Sequence, residues 1–217
     1  MNWKCQLKKY ICFMLWYQSI PAWFQNLFPR LIWQIPGKNT KDIYLTFDDG
    51  PHPEISLWVE EQLSKYKMKA TFFCVGDNLV KHSATAKFLE GKGHILANHT
   101  MHHIKGWSTP TEDYIQDIEA CNTHLSTSIF RPPYGRINKK QIKALHGKFK
   151  IIMWSVLSCD FDQNLNTAKA LKGLIKKTKN GSIVVFHDSI KAEKNLKILL
   201  PQYLEFIHQQ GFVCKTF

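Results

Sequence analysis

Strand-like and helix-like segments alternate from residue 41 to the C-terminus, and this alternation constrains the fold more than any other feature of the chain. The strand-like segments are apolar runs rich in β-branched and aromatic residues, at 43–47, 70–75, 94–97, 129–131, 150–156, 182–186 and 212–215. Segments with helical spacing lie between them, at 53–66, 83–90, 112–125, 139–145, 167–178 and 193–210. The pattern predicts an α/β fold with a parallel sheet, either open or closed into a barrel.

The domain organisation follows from length and composition. The chain has 217 residues, enough for one domain with a substantial core, and its hydrophobic fraction of 44% argues against disorder. No internal repeat or low-complexity linker interrupts the alternating part. We therefore expect residues 41–217 to form one domain, preceded by a basic and aromatic N-terminal segment at residues 1–40.

The N-terminal segment begins with three lysines, which precede a short aromatic stretch. It resembles a signal peptide, but it lacks a small-residue cleavage site and is well short of the ~20 apolar residues that a spanning helix needs. Three interpretations stay open: an anchor that makes peripheral contact with a membrane, a poor signal sequence, or a segment packed on the outside of the domain. Packing is the favoured interpretation, because aromatic stretches are more often packed than membrane-bound.

Charge and cysteine content bear on partners and location. Lys and Arg outnumber Asp and Glu by 29 to 17, and the net charge of +12 favours a negatively charged partner, which could be nucleic acid, an anionic membrane or an acidic polysaccharide. The six cysteines show no paired C-x-x-C spacing, so we interpret them as reduced core residues. Reduced cysteines favour a cytoplasmic or membrane-associated location over secretion. The sequence leaves the oligomeric state open.

Polar residues capable of chemistry follow nearly every predicted strand. In a parallel α/β architecture the C-terminal ends of the strands converge on one face, so residues distant in the sequence meet there. The residues expected at this face are Asp48, Asp49, His99, His103, Arg131, Tyr134, Asp160, His187 and Asp188. This convergence is the main argument for a functional site that depends on the residues alone.

A metal site is one interpretation of the first of these residues. The adjacent carboxylates of Asp48 and Asp49 repel each other unless a cation or a proton relieves the repulsion, although a solvated turn is the simpler alternative. His99 and His103 are four residues apart and would share one face if the chain turns helical after Asn98. Imidazole with carboxylate suits zinc or a similar divalent ion, whereas a histidine-rich surface turn is the alternative.

Two further residues have the character of catalytic groups. His187 closes a buried apolar run, and its unperturbed pKa of about 6.5 suits proton transfer. A hydrogen-bonded, half-buried histidine is an equally good interpretation. Arg131 would ordinarily be a surface charge, but it precedes Pro132 and Pro133, which could instead hold it rigidly enough to orient a carboxylate and to present a backbone N–H toward the site.

Four segments together resemble the ordered motifs of polysaccharide deacetylases with a NodB homology domain, the fourth carbohydrate esterase family. The segments are Thr46-Phe47-Asp48-Asp49-Gly50-Pro51, Asn98-His99-Thr100-Met101-His102-His103, Arg131-Pro132-Pro133-Tyr134-Gly135 and Ile183-Val184-Val185-Phe186-His187-Asp188. The resemblance covers residues 41–217. It implies a deformed (β/α) barrel and a metal-dependent hydrolase that removes acetyl groups from N-acetylated sugars of a poly- or oligosaccharide, with no specific nucleic-acid partner.

The resemblance also implies roles for particular residues. Asp49, His99 and His103 would bind a divalent metal, with Zn²⁺ as the expected ion. Asp48 would be the general base that activates water.

The resemblance also implies roles in protonating the leaving group, in orienting the general base and in stabilising the oxyanion. His187 would be the general acid that protonates the leaving amine, tuned by Asp160. Arg131 would orient the general base, and the Tyr134 N–H would help to hold the oxyanion.

The sequence departs from the family pattern at three positions. Leu157 stands where the fourth motif commonly begins with Asp, Phe161 where it ends in Trp, and Val185 where a leucine commonly helps to form the acetyl pocket. Because Phe161 and Val185 keep the walls apolar, we expect catalysis to survive with an acyl pocket of a different size.

Two other functions stay open from the sequence. One is an O-deacetylase of acetylated xylan or an exopolysaccharide. The other, less favoured, is a basic non-catalytic protein that binds glycan or nucleic acid, because a pure binder does not need both Asp48 and His187. The polymer, the position of the acetyl group and the native metal are also left open.

Overall fold

The computed structural model describes residues 22–37 and 41–217. The strands are β1 (Leu31–Ile32), β2 (Asp42–Asp48), β3 (Thr71–Cys74), β4 (Ile95–Asn98), β5 (Ile129–Phe130), β6 (Lys150–Ile152), β7 (Val156–Leu157), β8 (Ser182–His187) and β9 (Val213–Lys215). The helices are α1 (Ala22–Gln25), α2 (Ile55–Ser64), α3 (Gly76–Lys81), α4 (Ser83–Gly91), α5 (Thr111–Asn122), α6 (Lys139–Leu145), α7 (Thr167–Lys177) and α8 (Glu193–Gln209), with 3₁₀ turns at Gly106–Ser108 and Pro133–Gly135.

The sheet is parallel and curls on itself. Its strands run in the order β1-β6-β5-β4-β3-β2-β8-β7, and β9 pairs with the start of β2. Although β6 and β7 lie near opposite ends of this order, only residues 153–155 separate them in the chain. Gln34, just after β1, also bridges to Ser182 of β8. The two ends of the sheet therefore meet, and the predicted deformed (β/α) barrel is confirmed.

The side chains of β2 divide between two environments because a strand has a repeat of two residues. Ile43, Leu45 and Phe47 are fully buried in a cluster that includes residues of α2 and α8. Thr46 and Asp48 alternate with them and point to the opposite face, where both are also buried. The strand thus uses one face for packing and carries polar groups on the other.

Most predicted elements are present, but β1 and α1 were not predicted, and two further differences lie in the rest of the chain. Residues 150–156 do not form one strand: Met153 donates its N–H to Ile32 of β1 at 2.7 Å, whereas Ser155 donates to Ile183 of β8 at 3.1 Å. The run therefore crosses from one end of the sheet to the other. Helix α3 was not predicted, because its six residues are too few to show a helical period.

The N-terminal segment is described only from residue 22 onward, so its lysine-rich start lies outside the described residues. Leu31 and Trp33 are buried, and β1 pairs with β6. Residues 31–36 thus pack with the sheet, ahead of the expected boundary at residue 41. In the part of the chain that the structure describes, no helix combines the length and the apolar character that crossing a membrane requires.

The described cysteines have the reduced state that the sequence predicted. Those that are free are Cys74, Cys121, Cys159 and Cys214, the first three of which are buried. Cys5 and Cys12 lie outside the described residues.

Candidate active site

The polar residues at the strand ends line one cleft of about 760 Å³. The parallel register pairs Asp48, the last residue of β2, with His187, the last residue of β8. The residues expected at this face that line the cleft are Asp48, Asp49, His99, His103, Tyr134, His187 and Asp188. Arg131 and Asp160 are fully buried behind it. The convergence expected from a parallel sheet is therefore present.

Asp49, His99 and His103 form a compact cluster, in which one ligand atom from each residue lies within 4.8 Å of the other two. The Oδ1 atom of Asp49 is 3.1 Å from Nε2 of His103 and 3.7 Å from Nε2 of His99. Asp49 has a left-handed backbone with φ of 82°, and Asn78 donates a hydrogen bond to its carbonyl at 2.7 Å. The chain thus turns sharply after β2 and holds the carboxylate against the two imidazoles.

The two histidines meet through an irregular loop. The premise that the chain turns helical after Asn98 is wrong, because Thr100 and His103 have positive φ values of 65° and 55°. The Asn98 side chain accepts a hydrogen bond from the Thr100 N–H at 2.8 Å and stabilises this turn. The ring centroids of His99 and His103 are nevertheless 5.1 Å apart. The two residues therefore meet, but through a loop and not on one face of a helix.

The protonation of His99 suits a metal ligand. Its Nδ1 lies 2.8 Å from the carbonyl oxygen of Arg131, and since a carbonyl can only accept, Nδ1 carries the proton. The lone pair of Nε2 then faces Asp49. Burial lowers the pKa of His99 to about 4, so its imidazole is neutral at pH 7. A fixed tautomer with a free lone pair is the usual arrangement of a metal-binding histidine.

The carboxylate of the cluster is ionised. Burial alone would raise the pKa of Asp49, but its hydrogen bond with His103 and the nearby His187 and His99 hold the pKa well below its usual range. Two imidazole nitrogens and one carboxylate oxygen are a ligand set that suits a divalent cation and leaves coordination positions open. The residues present therefore fit the metal that the family resemblance implies.

Asp48 is held by a fully buried arginine. Nη1 of Arg131 donates to Oδ1 of Asp48 at 2.6 Å and to Oγ1 of Thr46 at 2.7 Å. Nη2 donates to the carbonyl of Met153 at 3.0 Å, and the guanidinium lies 3.9 Å from the ring of Phe73. These contacts fix the orientation of the carboxylate. Thr46 was not predicted as a site residue, although strand alternation places it on the same face as Asp48.

His187 is paired with Asp160. Nδ1 of His187 lies 2.7 Å from Oδ1 of Asp160, and the His187 backbone N–H donates to Oδ2 at 2.9 Å. Asn195 in turn donates to the carbonyl of Asp160 at 2.9 Å. Burial would lower the pKa of His187, but the adjacent carboxylate raises it to about 9. The imidazole is therefore protonated at neutral pH and can donate a proton.

Tyr134 lies at the mouth of the cleft. Its backbone is left-handed, with φ of 60° and ψ of 11°, in the 3₁₀ turn that follows Pro132. Its ring is 4.7 Å from that of His103 and remains 45% exposed. The turn thus brings the residue beside the Asp-His-His cluster.

The three positions that depart from the family pattern, Leu157, Phe161 and Val185, all line the cleft, together with Trp154. They form an apolar wall beside His187, whose ring contacts the Phe161 ring edge-on at 5.0 Å. The expectation that the walls stay apolar is consistent with this lining.

Asp188 is a site residue to which the sequence analysis gave no role. It is fully buried, accepts a hydrogen bond from the Gly50 N–H at 3.1 Å and also bonds the Ser56 hydroxyl. Burial raises its pKa to about 7. Its position next to His187 in the sequence was the only available signal. It ties the turn after β2 to the end of β8.

Comparison with known proteins identifies the family. The family model described as polysaccharide deacetylase matches residues 36–147, which is more than half of the chain. The chain belongs to the polysaccharide deacetylase family. The predicted resemblance to polysaccharide deacetylases is confirmed, and so is the prediction that the chain is a deacetylase enzyme.

Individual relatives of this polysaccharide deacetylase agree with the family assignment. A peptidoglycan-N-acetylglucosamine deacetylase of Bacillus cereus is 30% identical over 187 residues, covering 83% of this chain and 87% of the relative. A chitooligosaccharide deacetylase of Rhizobium leguminosarum bv. trifolii is 25% identical, covering 83% and 92%. The solved Bc1960 peptidoglycan N-acetylglucosamine deacetylase superposes with a TM-score of 0.73 at 25% identity, covering 88% and 94%.

Proposed function

We propose that this polysaccharide deacetylase hydrolyses the acetamido group of N-acetylated sugars in a polysaccharide or glycan, releasing acetate and a free amine. One observation carries the proposal: the Asp49–His99–His103 cluster lies in the same cleft as two ordered proton-transfer groups, Asp48 and His187. The acetylated sugars named for the relatives support the substrate class.

The metal in this proposal is a divalent cation held by Asp49, His99 and His103, and we favour Zn²⁺. Support comes from the neutral His99 imidazole, whose proton is fixed on the far nitrogen, and from the mixed nitrogen and oxygen ligands. A bound divalent cation supplies this site with a water of lowered pKa and with polarisation of the acetyl carbonyl.

Asp48 acts as the general base and takes the proton from the attacking water. Arg131 and Thr46 support this role, since their hydrogen bonds hold the carboxylate in one orientation. Because Oδ1 of Asp48 is occupied by the guanidinium, Oδ2 is the oxygen available to receive the proton.

His187 acts as the general acid and gives its Nε2 proton to the leaving nitrogen. Its Nδ1 is bound to Asp160, which keeps the ring charged and oriented at neutral pH. The Tyr134 N–H is assigned to the developing oxyanion, and Leu157, Phe161 and Val185 surround the acetyl methyl group.

Acetate release from a panel of glycans tests this proposal. Metal-loaded protein is incubated with chitooligosaccharides, peptidoglycan and acetylated xylan, with Asp48→Asn as the matched control. Release from N-acetylated substrates that is lost in the variant supports the proposal. Release from acetylated xylan alone would instead support the O-deacetylase, and equal release by both proteins would contradict an enzymatic role for this cleft.

For location we propose the cytoplasm or the membrane surface. The free state of the four described cysteines supports this, since free thiols are typical of reducing compartments. Cell fractionation tests it: recovery of the protein mainly from the culture medium would contradict the proposal.

A further inference from the structure

A basic and aromatic rim borders the cleft on the side of the Asp-His-His cluster. It consists of Lys105, Trp107, Tyr134 and Arg136. Nζ of Lys105 lies 5.1 Å from the centroid of the Tyr134 ring, and the guanidinium carbon of Arg136 lies 5.9 Å from the same ring and 5.6 Å from that of Trp107. Both cations thus lie near the Tyr134 ring, and Arg136 also lies near the Trp107 ring.

The fold builds this rim from two segments that are distant in the sequence. The N–H of Gly106 donates to the carbonyl of Arg136 at 3.1 Å, and Gln141 donates to the carbonyl of Gly106 at 2.8 Å. A β-carbon at Gly106 would collide with the Arg136 carbonyl oxygen, so the approach requires glycine. The Trp107 indole N–H is bound to Ile137 at 3.0 Å, which fixes the ring.

The two cations of the rim are not neutralised by neighbouring acids. In residues 22–37 and 41–217, no carboxylate forms an ion pair with Lys105 or Arg136, and Nε of Arg136 is buried with no hydrogen-bond partner. By contrast, the exposed Lys148 is paired with Glu119 at 3.1 Å. The positive charge of the rim is therefore uncompensated, and a planar guanidinium suits carboxylate or phosphate oxygens.

The rim is adjacent to the proposed site of hydrolysis. The Tyr134 ring lies near both cations, and its centroid is 4.7 Å from the ring centroid of His103 in the Asp-His-His cluster. A negative group held by Lys105 and Arg136 would thus lie beside, and not at, the place where the cluster holds an acetyl group. Tyr134 and Trp107 are 45% and 47% exposed, so both aromatic side chains can contact a sugar at this rim.

We propose that this rim is a subsite for a negatively charged substituent, carboxylate or phosphate, on the sugar next to the one that is deacetylated. The preferred substrate is then an acidic glycan. This inference rests on the proposed deacetylase function and specifies its substrate class.

The test compares one peptidoglycan oligosaccharide in two forms, with its carboxylates free and with the same carboxylates amidated. KM for acetate release is about tenfold lower for the free acid, in line with two charge-assisted contacts at a partly exposed site, and the advantage shrinks as salt rises. A glycan of equal length that carries phosphate distinguishes the two anions. Uncharged chitotetraose serves as the reference for basal activity.

The rim variant is Lys105→Ala combined with Arg136→Gln. It loses the preference for the free acid and keeps its KM for chitotetraose, which also shows that it is folded. The matched control combines Lys87→Ala with Lys172→Ala, which removes two exposed charges that do not line the cleft and keeps the preference.

Binding gives a readout that is independent of turnover. Calorimetry on the metal-loaded Asp48→Asn variant measures the same two oligosaccharides. Tighter binding of the free acid, lost in the rim variant, supports the subsite even if no substrate is hydrolysed and the proposed function fails. Equal binding and equal KM for the two forms would overturn the subsite, as would a rim variant that weakens both forms equally.

Discussion

Replacing Arg131 with methionine tests the buried pair most sharply. Arg131→Met keeps an unbranched side chain but shortens it and removes its charge, and it leaves the Asp48 carboxylate buried at 4% exposure without its cation. Removing one partner of a buried ion pair typically costs ~3–5 kcal/mol. In a domain of 150–250 residues each kcal/mol lowers Tm by roughly 2–4 °C, so we expect Tm to fall by about 10 °C.

Two further variants separate the cost of the unpaired Asp48 charge from the cost of lost packing. Arg131→Met combined with Asp48→Asn leaves no unpaired charge, so we expect the double variant to be more stable than Arg131→Met alone. Arg131→Lys keeps the charge but loses the fork that reaches Thr46 and Met153 at once, so its stability should lie between wild type and Arg131→Met.

Urea unfolding at pH 7 measures the free energies of unfolding of the wild type, Arg131→Met, Asp48→Asn, their double variant and Arg131→Lys. A chelator is included, because a bound metal would stabilise each variant to a different extent. We expect the two single substitutions to be strongly non-additive, with a coupling of at least ~1 kcal/mol. Additive effects would refute the reasoning, since they would mean that Asp48 does not depend on Arg131 for its stability in the interior.

Three further predictions concern the reaction and its pH dependence. Asp48→Asn should lower kcat by about 10²–10⁴-fold with unchanged metal content, measured by acetate release and elemental analysis. Asp160→Asn should lower the pKa of His187 from about 9 in an NMR titration. The stability that the His187–Asp160 pair contributes to the wild type is present below about pH 6.5 and is lost as pH rises through 9. This pH-dependent contribution should be absent from the variant. Val185→Leu should narrow the acyl pocket, reducing the ratio of N-propionyl to N-acetyl hydrolysis; an unchanged ratio would place the acyl group elsewhere.

The sequence predicted the fold well where its patterns are local. Strand β2 was predicted at 43–47 and spans Asp42–Asp48, because the run is rich in β-branched and aromatic residues and Gly50 and Pro51 stop it. The division of residues 150–156 into β6 and β7 could not be predicted. Residues 151–156 are buried without interruption, and only the closure of the barrel decides that the chain changes neighbours near Met153.

For the site, the sequence predicted which residues meet but not how they are oriented. The His99 and His103 spacing suggested a helix, whereas positive φ values at Thr100 and His103 create the contact in a loop. The sequence also could not predict that Asp188 supports the turn after β2. Its hydrogen bonds to Gly50 and Ser56 span more than 130 residues, and no local pattern reports contacts of that range.

The central claim is that Asp49, His99 and His103 together hold one divalent cation. X-ray absorption at the zinc edge, on protein stripped with chelator and reloaded with one equivalent of Zn²⁺, tests it directly. We predict two imidazole nitrogens and at least one carboxylate oxygen around the ion, with one imidazole lost in His103→Ala. A spectrum unchanged by that substitution, or one dominated by sulfur, would contradict the account.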